Sequence, residues 1–371
     1  MYIERMAIEG FRNFMMLETG FDKGINVITG GNAQGKTNLL EAIYFLSCAR
    51  SFRVRGDKDL INFDCNFARI EADVSALRRD TNIEVRMHRE RRRQIFFNGV
   101  RQASAAEMPE RLGVVLFSPD DLEIIRGGPA ARRRFMDQAI SQLRPKYANA
   151  LSEYGRIYEH KTRILRDWRE KPSLLETLDD FSLRMAKISS ELIYYRSSWC
   201  ERLDEEASAM HAEISGVNEK LKLSYKTVST VDDPRGMKPS ELFPLILRHQ
   251  ESHRQAEIDS GLCLTGAHKD DIEVEIGGNS AKTFASQGQV RTAALSMKLA
   301  EREISSTDRG DTPVLLLDDV LSELDERRQD FVLNRIGGGQ VFITCCEDKS
   351  CMQRMGDRLF YMKNGEITCN L

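Results

Sequence analysis

Short β-branched and aliphatic runs open the chain. "IERMAIEGF" and "GINVIT" read as strands, and Gly30 closes the second. In "KTNLLEAIYFLSCAR" the apolar positions Leu39, Leu40, Ile43 and Leu46 fall on one stripe, which predicts an amphipathic helix. From 67 to 98 the period drops to two, in "ARIEADVSAL" and "NIEVRMH", with Asn98-Gly99 as a hairpin turn. Residues 130–215 are charged, poor in glycine and helically spaced, as at Leu183, Ile188, Leu192 and Tyr195. "DDPRGMKPSELFP" at 232–244 supplies breakers, and "DIEVEIGG" is strand-like again. "TFASQGQVRTAAL" is a polar turn running into a helix. Ser286 as N-cap and Gln289 three positions on make a capping box. "PVLLLDD", "DERRQDFVLNRI" and "GGGQVFITC" then alternate strand, helix and strand before a last hairpin through Asn364-Gly365. No internal repeat or low-complexity run interrupts this order.

The expected fold class is therefore α/β with mixed sheets. Segments 1–118 and 251–371 are expected to form one α/β unit, interrupted by a mainly helical domain over 119–250.

Length and composition suit that picture: 371 residues, 41% of them hydrophobic, are enough for two or three cored domains. No apolar run is long enough to span a membrane, and "MYIERMAIEGF" carries charges where a signal peptide needs its apolar core. A soluble, cytoplasmic protein with no membrane partner is the expectation. A net charge of −3 excludes nucleic-acid binding by bulk charge, but "HRERRR" (88–93) and "ARRRF" (131–135) are local basic patches. The eight cysteines form no CxxC pair and have no nearby histidine. They read as small buried hydrophobes without disulfides, Cys345 and Cys346 being in a strand.

"GGNAQGKT" (Gly30, Gly31, Asn32, Ala33, Gln34, Gly35, Lys36, Thr37) fits the phosphate-binding loop G-x-x-x-x-G-K-[ST], with a strand before it and a helix after. Glycines let backbone N–H groups converge as an anion nest. Lys36 sets a charge on the β- and γ-phosphates of ATP, and the Thr37 hydroxyl is a ligand for Mg²⁺. "PVLLLDD" is a buried parallel-type strand ending in carboxylates. Asp318 stands on the metal side, and Asp319 is placed to orient or deprotonate the attacking water. Lys36 and Asp319 are thus the candidate catalytic residues.

The second helix start raises a question, because one nucleotide does not need two distant anion seats in one chain. Ser286, Gln287, Gly288 and Gln289 followed by their helix resemble the signature of the ATP-binding-cassette superfamily, which closes over ATP bound to another subunit. Ser322, Glu323, Leu324 and Asp325 resemble the loop that crosses that dimer interface. Taken alone, "SQGQ" reads as an ordinary capped helix; in order with "GNAQGKTN" and "LLLDDVLSELD" it reads as the signature.

Together "GNAQGKTNLLEAIYFLSCARSFR", "SPDDLEIIRGGPAARRRFMD", "TGAHKDD", "ASQGQVRTAALSMKLAE" and "LLLDDVLSELDERR" resemble the RecF family of bacterial recombinational-repair proteins, from the first strand to the last. The resemblance implies an ATPase head of the ABC type, related to structural-maintenance and Rad50 ATPases but without a long coiled coil. It further implies slow ATP hydrolysis, an ATP-dependent homodimer on gapped or junction double-stranded DNA, and RecR as partner. RecO and RecA belong to the same implied pathway. Ala267, Val290, Cys345 and Cys346 depart from the family pattern, the two cysteines near the position that senses γ-phosphate.

Other roles stay open at this level. Arg89, Arg91, Arg92 and Arg93 form either a DNA-contacting hairpin tip or a solvated loop. Arg132 and Arg133 contact DNA, or tie a helix start to carboxylates such as Asp137. Arg12 is expected to reach the nucleotide, and His268, Lys269 and Asp270 to brace the signature segment. The rival reading is the ATPase subunit of an ABC transporter, which shares all three nucleotide motifs. A metabolic P-loop kinase would need no signature, and a purely structural protein no intact Lys36, Thr37, Asp318 and Asp319.

Overall fold

The structure is a computed structural model and describes residues 1–54, 56–77, 79–216, 219–321, 324–346 and 358–370. Its strands, in order, are β1 (Tyr2–Phe11), β2 (Phe14–Gly20), β3 (Ile25–Thr29), β4 (Phe67–Ser75), β5 (Thr81–His88), β6 (Gln94–Phe97), β7 (Val100–Gln102), β8 (Val114–Phe117), β9 (Leu221–Lys226), β10 (Asp271–Ile276), β11 (Asn279–Ser280), β12 (Val314–Asp318), β13 (Val341–Cys345), β14 (Arg358–Lys363) and β15 (Glu366–Asn370). The longer helices are α1 (Lys36–Cys48), α2 (Pro129–Leu143), α3 (Pro145–Asp167), α4 (Leu178–Ser215), α5 (Pro239–Ser260), α6 (Gln287–Arg309) and α7 (Glu326–Arg335).

The chain divides into two units: Met1–Asp121 with Lys298–Leu371, and Leu122–Met297. In the first unit one sheet is antiparallel, ordered β2-β1-β4-β5-β6-β7. The other is ordered β15-β14-β3-β13-β12-β8 and is parallel except for the β14–β15 hairpin. Strands β3, β12 and β13 are the short apolar runs that a sheet covered on both faces requires. Helix α1 shares a single apolar cluster with residues of both sheets. Its expected single stripe is too narrow: Ala42, Tyr44 and Phe45 are buried as well, because apolar surface meets it on more than one side.

The second unit packs α4 against α3 and α5, with a small sheet ordered β11-β10-β9. The expected inward stripe of α4 is displaced. Leu183 is half exposed, and the buried face runs through Met185, Ile188, Leu192, Arg196, Trp199 and Leu203. The expected boundaries at 118/119 and 250/251 also shift, to 121/122 and 297/298. The reason lies in strand pairing: Ile272 pairs with Tyr225 and Val274 with Leu223, which ties residues after 251 to the helical segment. Strand β9 went unread in the sequence, although "LKLSY" alternates. The expected breaker stops at 238, since Pro239 occupies the first helical position of α5, where no N–H is needed.

Among the described residues no helix is long and apolar enough to cross a membrane.

Candidate active site

The loop between β3 and α1 is built on unusual backbone angles. Gly30, Ala33 and Gly35 have φ of 149°, 62° and 113°. A Cβ on Gly30 would lie 2.3 Å from the Met362 carbonyl oxygen, and one on Gly35 2.7 Å from Asn13 Nδ2. Both positions therefore demand glycine for conformation and for space. Lys36 is buried, and its ammonium donates to the carbonyls of Gly30 (2.7 Å) and Gly31 (3.0 Å). The cation is thereby held over the loop that its own helix follows.

Asp318 ends β12 in register with Thr344 of β13, and Thr29 ends β3 in register with Cys345. One oxygen of Asp318 accepts from the Thr37 hydroxyl at 3.0 Å and from the Thr344 hydroxyl at 2.8 Å. Burial raises the Asp318 pKa, and the two hydroxyl donors oppose that rise. Asp319 follows with φ of 53°, a conformation that aspartate tolerates better than most residues, and its N–H donates to Thr344 Oγ1 at 2.9 Å. Thr344 was missed in the sequence. The only signal was its place just before Cys345 and Cys346. Cys345 lies buried in β13 as expected, whereas Cys346 is past the strand end and exposed, its thiol 3.3 Å from Asn32 Oδ1. Cys200 and Cys263 are buried thiols, each pushed up to about 12 by desolvation.

Two braces hold the loop from outside it. The Gln34 carbonyl accepts from Asn13 Nδ2 and from the Gly365 N–H, each at 3.0 Å. Gln34 Oε1 accepts from the Asn364 N–H at 2.6 Å. The terminal hairpin turn is thus part of the site's frame. Arg12, expected at the nucleotide, is instead bidentate to buried Glu41 at 2.8 and 2.7 Å. Arg12 thereby ties the β1–β2 turn to α1.

In the second unit the capping box forms as read: Gln289 N–H donates to Ser286 Oγ at 3.3 Å and Ser286 N–H to Gln289 Oε1 at 2.8 Å. Gln289 also donates to Glu219 at 2.9 Å. Ser286 and Gln287 are exposed and Gly288 is half-buried, while Val290 faces the core. Ser322 and Glu323 lie outside the described residues. Leu324, offered as an interface residue, is buried, and Asp325 caps α7 by accepting from the Arg328 N–H.

"TGAHKDD" joins the helices of the second unit. His268 meets the Tyr154 hydroxyl at 2.8 Å and the Cys263 carbonyl at 3.1 Å, and burial brings its pKa down to about 4. Asp270 is fully buried. It accepts from Arg196 (2.7 Å), Thr227 (2.7 Å) and Tyr225 (2.5 Å). Arg196 also pairs with Asp137 at 2.8 Å.

The two arginine clusters separate by burial. Arg132 is buried and bidentate to Asp271 at 2.7 and 2.8 Å, and Arg133 donates to the Asp270 carbonyl at 2.6 Å. Both are committed inside the second unit, and the carboxylate partner is Asp271 rather than Asp137. In the β5–β6 turn Arg89 is spent on the carbonyls of Cys65 and Asn62, and Arg93 on Asp57 and the Ala49 carbonyl. Arg91 and Arg92 are exposed.

Against known proteins, the family model described as the RecF/RecN/SMC N-terminal domain matches residues 2–369. The DNA replication and repair protein RecF of Lactobacillus acidophilus is 39% identical over 375 residues, 99% of both chains. That of Acetivibrio thermocellus is 36% identical over 361 residues, 97% of both. Among solved structures, the recombination mediator protein RecF-ATPrS of the RecFOR pathway is similar with a TM-score of 0.93 at 31% identity, over 100% of this chain and 98% of that one. The Smc head domain from Pyrococcus furiosus, at 18% identity and a TM-score of 0.57 over 100% and 96% of the two chains, shares the fold alone.

Proposed function

The chain belongs to the RecF family, and from that premise we propose that it is an ABC-type ATPase of DNA replication and recombinational repair, working as an ATP-gated dimer on gapped or junction DNA. The observation that carries the chemical part is Asp318, whose one oxygen gathers the hydroxyls of Thr37 and Thr344 beside the glycine-built loop. In this reading residues 30–37 cradle the triphosphate of ATP, and Lys36 leaves the carbonyls of Gly30 and Gly31 for the β- and γ-phosphates. Asp319 orients the attacking water and Thr344 fixes the backbone that aims it.

Thr37 and Asp318 are hard oxygen donors already in contact, which is the donor set Mg²⁺ takes. When bound, the ion would neutralise charge on the phosphates. Ser286 and the N–H groups near Gly288 form an exposed, capped helix start suited to the γ-phosphate of ATP held by a second copy. The solved relatives are described as RecF with ATP or ATPrS in the RecFOR pathway. That supports ATP as ligand and RecR as partner, with RecO acting in the same pathway; RecA follows from the family resemblance alone. The transporter reading loses its ground, since relatives matched along the whole chain are DNA repair proteins.

Molecular mass measured with and without ATP and gapped DNA tests the proposal. ATP should double the mass of the wild type. Ser286→Arg should bind ATP and stay monomeric, and Asp319→Asn should hold the ATP dimer. A wild type that hydrolyses ATP at full rate as a monomer would overturn it.

A further inference from the structure

One end of the antiparallel sheet, where β1 turns into β2, β4 begins and β5 ends, carries an aromatic group that the phosphate site does not use. Phe63 is 98% exposed. Its loop is nevertheless tightly pinned. Asn62 donates its N–H to the Gly10 carbonyl (2.8 Å) and its amide to the Arg12 carbonyl (2.6 Å). Asn62 Oδ1 accepts from the Asp64 N–H at 2.9 Å, closing an Asx turn around Phe63. Arg89 reaches across from the β5–β6 turn and donates to the Asn62 and Cys65 carbonyls, both at 2.9 Å. These bonds hold the exposed phenyl ring in one position at the sheet end.

The surroundings select the occupant. Arg91 and Arg92, on the turn that Arg89 fastens to this loop, are exposed, and among the described residues neither makes a hydrogen bond or an ion pair. Glu90 and Asp64 are exposed there too, and Arg93 is paired with Asp57 at 3.2 Å. Phe67, 41% exposed, stands opposite His88 with ring centroids 6.2 Å apart. Aromatic faces beside unpaired arginines match a polyanion that also offers π-faces. A protein partner could use the same aromatic and arginine side chains, and loss of such a partner is an outcome of the test below.

We propose that this sheet end is a nucleic-acid contact in which Phe63 stacks on an unpaired base while Arg91 and Arg92 take flanking phosphates. The inference rests on the DNA-binding reading above and names the substrate form: a single-stranded segment, since bases inside a duplex already have both faces covered. Arg89 is a positioning residue here, not a DNA contact.

The test titrates the full chain with gapped DNA carrying 2-aminopurine in the gap, and with intact duplex of the same length. The wild type should change the 2-aminopurine fluorescence. Phe63→Ala should abolish that change and weaken gapped-DNA binding about tenfold, while duplex affinity and ATP binding hold and Phe63→Trp restores both signals. Arg91→Ala and Arg92→Ala should each lower the slope of log affinity against log salt by about one. Gapped-DNA binding by Phe63→Ala equal to wild type, with the fluorescence change intact, overturns the inference and leaves the DNA-binding reading standing. The same holds if DNA binding is unchanged and association with RecR is lost, which would make the patch a protein dock. A wild type that binds neither DNA sinks both.

Discussion

Thr344 donates to Asp318 across neighbouring parallel strands at 2.8 Å, and its hydroxyl oxygen also accepts the Asp319 N–H at 2.9 Å. One hydroxyl therefore fixes the Asp318 carboxylate and the backbone of Asp319. Thr344→Val keeps the shape and removes both bonds. ATP turnover should fall about ten- to hundredfold, the equivalent of roughly 1–3 kcal/mol, with a smaller change in ATP affinity. Thr344→Ser should recover most of the rate in a steady-state phosphate-release assay.

Gly35 leaves no room for a side chain because Asn13 lies within 3 Å of where its Cβ would be. Gly35→Ala should weaken ATP binding by at least about tenfold in a fluorescent-nucleotide titration, from left-handed strain and displacement of the Asn13 brace. Gly99→Ala is the control. Its φ is 76° but nothing stands within 4 Å, so it should cost about 1 kcal/mol of stability and leave ATP binding intact.

Arg196 is a buried hub linking Asp137 and Asp270. Arg196→Ala leaves two carboxylates without their cation and should cost about 3–5 kcal/mol. Trp168 and Trp199, the two tryptophans of the chain, both belong to the second unit, so urea unfolding followed by tryptophan fluorescence reads that unit alone.

His268 gives a pH dependence with a definite sign. Its folded pKa, about 4, lies below the unfolded value near 6.5. Between these values the unfolded chain binds a proton that the folded chain refuses. The His268 contribution is therefore whole above pH 6.5 and declines as the pH falls toward 4, by about 2–3 kcal/mol. Replacing His268 with Gln should flatten that part of the stability profile, measured by the same fluorescence.

Arg132 pairs with Asp271 inside the second unit, so Arg132→Ala should lower stability by a few kcal/mol without changing the salt dependence of DNA binding. A fall in the salt slope instead would return Arg132 to the DNA surface.

The features legible in the sequence are contiguous ones. The turn of "GGNAQGKT" follows from its own glycines, and the Ser286–Gln289 box closes within one helical turn, so both read directly. Asn98-Gly99 likewise turned as expected, with φ of 47° and 76°. The roles assigned to arginines by charge alone fared differently. Arg12, Arg89, Arg93, Arg132 and Arg133 each found a carboxylate or carbonyl far along the chain, and charge density cannot show which arginines are so engaged.

What the sequence determined by itself is the local motif: a glycine-built loop, a buried acidic strand, a capped helix start. The tertiary structure alone decided the partners. Strand order β3-β13-β12 brings Thr344 between the loop strand and the acidic strand, and the β1–β2 and β14–β15 turns bring Asn13 and Asn364 to Gln34. Register and sheet order are set by burial of whole faces summed over many residues, so no single motif encodes them. The same physics left Arg91 and Arg92 exposed while it enclosed Arg132.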